Sequence, residues 1–380
     1  MAAVYLDCNA TTPMEPAVLA LVNRFMERDY GNAASPVHDH GLFARTAVDH
    51  ARGQIAELVG ARRDELLFTS GATEANNLAL LGLAAHGLAT GRRHILSTAI
   101  EHKAVLEPLD EMRRLGFSVE LLPVDSGGRP DPQCLKERLR PDTLLVSTMQ
   151  VNNETGVSQP LGELSELLSG HPAWWHIDAA QGFGKEIQPL RDPRIDLISI
   201  SGHKIYGPKG IGVLVARKRE GALPPLRPLM FGGGQEQGLR PGTLPVPLIA
   251  GLGEAARLAL RTHEQRAAAC REYRRQVVPA LAALEPFWNG DQAHVLPHTV
   301  NLSLPGIPSD RAMAALKRLI SVSSTSACTS HTRTPSHVLS AMGLPAERIE
   351  SSFRISWCHL TPPVDWDEIV SVLRRLRQGQ

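Results

Sequence analysis

Between about residue 50 and residue 216, short apolar runs alternate with amphipathic stretches, and nearly every run ends on polar residues. The runs are Leu66-Leu67-Phe68, His94-Ile95-Leu96-Ser97, Leu144-Leu145-Val146-Ser147, Trp175-His176-Ile177-Asp178, Leu197-Ile198-Ser199-Ile200-Ser201 and Ile211 to Ala216. Asp49 to Val59 and Thr73 to His86 carry apolar residues at helical spacing. Strands that read as nearly continuous apolar segments and alternate with helices belong in a parallel sheet covered on both faces. The chain is therefore α/β. Such sheets bind ligands beyond the carboxyl ends of their strands, so the informative residues are those that follow each run.

After Pro225 the pattern changes. Residues 224–247 are rich in proline and glycine, including Gly232-Gly233-Gly234, and read as an extended crossing segment. A long helix is expected over about Leu248 to Leu284, interrupted near Pro279. Two strands (Thr299 to Leu304, Phe353 to Trp357) and two helices (Asp310 to Leu319, Asp365 to Leu376) complete a smaller α+β part. Residues 13–250 are read as a large domain, and residues 1–12 with 251–380 as a small one.

Composition removes several classes of function. The 380 residues are 21% charged and 43% hydrophobic, with a formal net charge of +1, which argues against a protein built to grip a phosphate backbone directly. The N-terminus has no basic segment leading into an apolar one, and no apolar run approaches the roughly 20 residues that span a bilayer. Five scattered cysteines without a Cys-x-x-Cys pair argue against a disulfide framework or a metal site. A reduced, cytoplasmic protein is expected.

Three strand-end clusters carry chemistry. Ser70-Gly71-Ala72-Thr73-Glu74 opens a helix after the Leu66 run, where small residues let backbone N–H groups meet an anion. Alone it reads as a helix cap with a capping acid. Asp178 ends its run and suits a charged hydrogen bond to a pyridinium nitrogen, although by itself it is another cap. Lys204, in Ser201-Gly202-His203-Lys204, sits just past a buried strand, where partial burial would keep an amine reactive. A single lysine there is usually a solvated residue. The three together, in that order on one sheet edge, are far more specific than any one.

With these residues in view, the chain resembles a cysteine desulfurase of the class V aminotransferase family, fold type I pyridoxal-phosphate enzymes. The resemblance runs collinearly from Tyr5-Leu6-Asp7 and Ala10-Thr11-Thr12-Pro13 through Gly31-Asn32, Glu101-His102-Lys103-Ala104-Val105, Val151-Asn152-Asn153-Glu154, His176 to Gln181, Ser201 to Gly210 and Gly242-Thr243-Leu244 to Ser324 to Ser330. It implies a large domain with a mainly parallel seven-stranded sheet between helices, plus a smaller α+β domain. It implies Lys204 as the Schiff-base lysine for pyridoxal phosphate, Asp178 as partner of the ring nitrogen and His102 stacked on the ring and able to move protons. Gln181 and Asn153 would bond the ring hydroxyl. Ala72, Thr73, Ser201 and His203 would hold the phosphate, with Thr243 reaching in from the second subunit of a homodimer. Arg354, helped by Asn32 and Asn153, would clamp the carboxylate of L-cysteine, as a guanidinium fork suits that group.

Cys328 lies in a small, hydroxyl-rich run from Ser321 to Pro335 that reads as a mobile surface loop. The resemblance makes it the nucleophile that takes the substrate's sulfur as a persulfide, leaving L-alanine, and hands it to an acceptor protein. Cys8, Cys134, Cys270 and Cys358 are read as inert thiols. Thr325, where the family commonly has glycine, is expected to stiffen this run, so that Cys328 rests away from the cofactor. Cys8-Asn9 departs from the usual residues before Ala10, and the chain ends at Gln380, soon after Arg374, Arg375 and Arg377, without the tail that housekeeping relatives use to dock an iron–sulfur scaffold. Both features are similar to the desulfurases of DNA phosphorothioation systems. Iron–sulfur assembly and tRNA thiolation are rival destinations. A selenocysteine lyase would have no need of Cys328, and an inactive scaffold would need none of Lys204, Asp178 and His102.

Overall fold

The structure, a computed structural model, describes residues 3–324, 327–329 and 332–379, with the backbone alone at 327–329, 332 and 333. Seven strands form the central sheet: β1 (Leu66–Thr69), β2 (His94–Thr98), β3 (Ser118–Leu122), β4 (Thr143–Met149), β5 (Trp174–Asp178), β6 (Leu197–Ser201) and β7 (Gly212–Ala216). Their order is β1-β7-β6-β5-β4-β2-β3. Pairing is parallel from β6 through to β3, while β7 runs antiparallel to both its neighbours. Strand β3 was not expected: its alternation is weak and only Leu122 of its five residues is buried.

Side chains of successive strand residues serve opposite faces. Ile198, Ile200, Val213 and Val215 join one core with the helices Pro16–Glu27, Asp39–Val59 and the first half of Val246–Ala282. Leu197, Leu214 and Leu145 face the other core, under the helices Ala72–Leu81 and Lys103–Arg114. Gly253 lets the long helix approach Ala51, whose Cβ would lie 2.5 Å from any Cβ placed there. The stretch expected as one helix to His86 breaks at Gly82 into Ala72–Leu81 and Ala84–Thr90.

The long helix runs unbroken from Val246 to Ala282, about 55 Å. The interruption expected at Pro279 is absent because the proline falls in the last turn, where little helix remains to be broken. Its second half supplies Cys270, Tyr273, Val277 and Leu281 to a separate core with Leu6, Val300, Phe353 and Trp357. This core backs a small antiparallel sheet ordered Ser323–Ser324, Ser352–Ser356, Thr299–Ser303, Phe287–Trp288. The segment expected as a loop around Cys328 contains a two-stranded ribbon, Ala327–Thr329 against Thr332–Thr334, with Cys328 opposite Arg333. The orientation of the Cys328 side chain and the effect of Thr325 lie outside the described residues. Among the described residues, no helix is long and apolar enough to cross a membrane.

Candidate active site

A cavity of about 650 Å³ opens at the carboxyl edge of β4, β5 and β6. On one side it meets the start of the Ala72–Leu81 helix, where Ala72 and Thr73 line it and no side chain caps the helix. The first-turn N–H groups are thus left for an anion. The cup is tight. A Cβ at Gly212 would lie 2.6 Å from Gly71 Cα, so strand β7 can pass beneath this turn only with glycine there. Ser201, at the end of β6, faces the same space.

Asp178 ends β5 and is 5% exposed. Its Oδ2 accepts a hydrogen bond from Asn76 Nδ2 at 2.9 Å, and its Oδ1 accepts one from the Ala180 N–H at 2.9 Å. The two bonds fix the direction of the carboxylate. Asn76 was not singled out from the sequence. It is fully buried, and a buried amide requires partners, but that burial is a property of the fold with no local signal in the sequence.

Lys204 follows β6 on the short turn Gly202–Lys204. Its Nζ donates to the carbonyl oxygens of Asn9 and, at 2.8 Å, of Ala10. Burial, then the cations of Arg354 and Lys185, bring its amine down to about 7. Neighbouring His203 is brought down to about 4, first by burial and then by Lys204, while its Nδ1 lies 3.1 Å from Thr11 Oγ1. His102 caps the Lys103–Arg114 helix, its Nδ1 accepting the Ala104 N–H at 3.0 Å, and burial lowers its basicity. That bond leaves Nε2 to carry the proton of the neutral ring.

Asn153 and Gln181 also line the cavity. Gln181 Nε2 donates to Asn9 O at 2.9 Å. The structure therefore gathers Ala72, Thr73, His102, Asn153, Asp178, Gln181, Ser201, His203 and Lys204 around one space. Three of the expected residues lie elsewhere. Thr243 is exposed; Asn32 is exposed and accepts the Ala34 N–H at 2.9 Å; Arg354 sits behind the cavity, donating to Asn153 O at 2.7 Å and to Asp7 Oδ1 at 2.6 Å. Of the thiols read as inert, Cys8, Cys270 and Cys358 are buried and Cys134 is partly exposed.

With this arrangement in hand, three comparisons bear on the chain. The model of the family described as aminotransferase class-V matches residues 4–367. The cysteine desulfurase IscS of Salmonella arizonae is 42% identical over 98% of this chain and 92% of its own length. Among solved structures, DndA from Streptomyces lividans is 50% identical, with a TM-score of 0.81, covering 93% of this chain and 99% of that one. The chain belongs to the class-V aminotransferases, among the cysteine desulfurases. A further solved relative, SspA in complex with cysteine, is 34% identical with a TM-score of 0.81 over 96% of this chain and 100% of that one.

Enzymes of this family depend on pyridoxal phosphate, and the residues present in this desulfurase fit that group. Gln181 Oε1 and Asn76 Oδ1 are buried at the cavity without a partner among the described residues. The uncapped helix start suits a phosphate, the fixed Asp178 carboxylate suits a protonated ring nitrogen, and the Lys204 amine is near neutrality.

Proposed function

We propose that this chain converts L-cysteine to L-alanine, holds the released sulfur as a persulfide on Cys328, and passes it to an acceptor protein of a DNA phosphorothioation system. The observation that carries the activity is the meeting of Lys204, Asp178 and His102 around one cavity beside an uncapped helix start. Lys204 and Asp178 would hold pyridoxal phosphate, with Ala72, Thr73, Ser201 and His203 around its phosphate and Gln181 and Asn153 beside the ring. When bound, the cofactor supplies an electron sink for bonds to the substrate's Cα.

The chain's own groups do the rest. Arg354, with Asn153 and Asn32, binds the substrate carboxylate. Lys204 Nζ, near neutrality, can hold or release a proton at neutral pH, and His102 Nε2 is a second titrating position. The Cys328 sulfur forms a bond to the substrate sulfur as the substrate's carbon–sulfur bond breaks. The electron pair of that bond stays with carbon and takes up a proton, giving alanine.

We further propose a cytoplasmic homodimer of two-domain subunits (13–250, and 1–12 with 251–380), in which Thr243 serves the partner's site. The exposed Leu229, Met230 and Phe231 in the same segment support a covered face there. Near-neutral charge supports indirect contact with DNA, through the acceptor. The 50% identity to DndA favours that destination, while the 42% identity to IscS supports the second reading, iron–sulfur cluster assembly.

Purified wild type and Cys328→Ser given L-cysteine test the activity. Wild type should be yellow and form alanine and protein persulfide, and the mutant should keep the colour and form neither. Normal turnover by the mutant would replace this reading with a selenocysteine-lyase-like one. Deleting the gene tests the destination: loss of phosphorothioate linkages with iron–sulfur enzymes intact supports it, and the reverse pattern overturns it.

A further inference from the structure

Arg354 is the middle residue of the strand Ser352–Ser356, opposite Asn301 on one side and Ser323 on the other. Its side chain is 9% exposed, so its charge has little access to water and must find an anion within the protein. That anion is Asp7. Arg354 Nη2 donates to Asp7 Oδ1 at 2.6 Å, and Nη1 donates to the Asn153 carbonyl at 2.7 Å. Arg354 Nε is buried with no acceptor among the described residues. A guanidinium satisfies a carboxylate best through two parallel bonds, and Asp7 engages it through one oxygen only.

The other carboxylate oxygen is already committed. Asp7 Oδ2 accepts the Ser323 hydroxyl at 2.7 Å. The backbone around Asp7 is also fixed: Val4–Tyr5 pairs with Ile320–Ser321, and Asp7 itself bridges to Ser356. Two and three positions on, Asn9 and Ala10 offer the carbonyls that receive Lys204 Nζ. One short segment therefore neutralises Arg354 and receives the site lysine. If Asp7 loses Arg354, it keeps the Ser323 bond and its place in the backbone, so exchange of partners requires no unfolding.

We infer that Asp7 is an internal stand-in for the substrate carboxylate: it occupies Arg354 until the α-carboxylate of the amino acid displaces it, and it thereby sets affinity and excludes other small anions. This rests on the reading of Arg354 as the carboxylate-binding residue. Two consequences follow from competition for one guanidinium. Apparent affinity is lowered by the fraction of molecules in which Arg354 is already taken. Small anions, which can make no further contacts in the site, are excluded more effectively than the substrate.

The test uses the pyridoxal-phosphate-loaded enzyme and three variants. Asp7→Asn keeps the shape but removes the competing charge. It should lower the KM for L-cysteine roughly 5- to 10-fold and make the enzyme sensitive to acetate and chloride at roughly 10-fold lower concentration than wild type. Ser323→Ala removes one bond that holds Asp7 and should shift both quantities the same way by about 2-fold; it also serves if Asp7→Asn does not fold. A KM that rises in these variants, or acetate inhibition equal to that of wild type, overturns the inference, because Asp7 would then only orient Arg354. Arg354→Ala separates the two levels. If its KM rises at least about 10-fold, the Arg354 reading stands and the outcome for Asp7 is judged independently; an unchanged KM removes both.

Discussion

The sheet wall of the cavity and the layer behind the cavity are built on different principles. On the sheet side, Asp178, Lys204 and Ser201 stand at the ends of strands whose residues are all or nearly all buried, and Asp178 is held by Asn76 from the adjoining helix. Behind the cavity, Asp7, Asn9 and Arg354 come from chain segments up to 347 positions apart and are joined to their neighbours by an ion pair and single hydrogen bonds. Asp178 on the sheet side has fixed partners that no ligand needs to displace. In the layer behind the cavity, the pairing of Asp7 with Arg354 is the one proposed to yield to a ligand carboxylate. The difference separates groups that must be preorganised for charge stabilisation from groups whose contacts can exchange on binding.

Substitutions can break or sharpen this contrast. The largest effect is expected on the sheet wall: Asp178→Ala removes a fixed carboxylate and leaves Asn76 Nδ2 without its acceptor. Alanine formation should fall about 100-fold, the equivalent of about 3 kcal/mol for a charged hydrogen bond. A fall confined to KM would mean that this wall also exchanges partners.

A smaller effect is expected one layer deeper. His176, fully buried in β5, bridges Ser147 Oγ of β4 at 2.8 Å and Ser199 Oγ of β6 at 2.9 Å. His176→Leu leaves two buried hydroxyls unmatched and should cost about 2 kcal/mol, read as a lower thermal midpoint. Burial also brings His176 down to about 3. Since the folded value lies below the ordinary one of 6.5, the unfolded chain binds more protons in that interval. Wild-type stability should therefore fall as pH drops from 6.5 toward 3, and the leucine variant should lose that part of the dependence. Identical pH profiles would show that His176 does not carry that part of the dependence.

The smallest effect joins the two layers. Burial first, and then the Arg354 cation, bring Lys204 down to about 7. In cofactor-free protein, labelling of Lys204 by an amine-directed reagent should reach half its maximal rate near pH 7, and Arg354→Ala should move that point upward by a fraction of a pH unit. No movement would mean that Lys204 and Arg354 are electrostatically independent.

Much of the sheet wall was legible in the chain. Apolar runs ending in Asp178 and Ser201, with Lys204 just beyond, place those residues at one edge because parallel strands all present their carboxyl ends there. Strand β3 was harder to read because it lies at the sheet edge and carries only a partial apolar signal. Asn76 was hidden because nothing local distinguishes a buried asparagine from an exposed one. Asp7 stood inside a recognisable motif, yet no spacing rule links it to Arg354 or Ser323.

The sequence by itself determined the α/β class and the strand-end positions of Asp178 and Lys204, whereas His102 was reached only through the family resemblance. It could do so because hydrophobic periodicity and strand-end position are local properties of the chain. Only the tertiary structure decided that Asn9 and Ala10 receive Lys204, that Asn76 orients Asp178, and that Asp7 rather than open solvent faces Arg354. Those pairings depend on how the small sheet and the N-terminal strand close against the large one. Such long-range contacts arise from packing, and no local pattern encodes them.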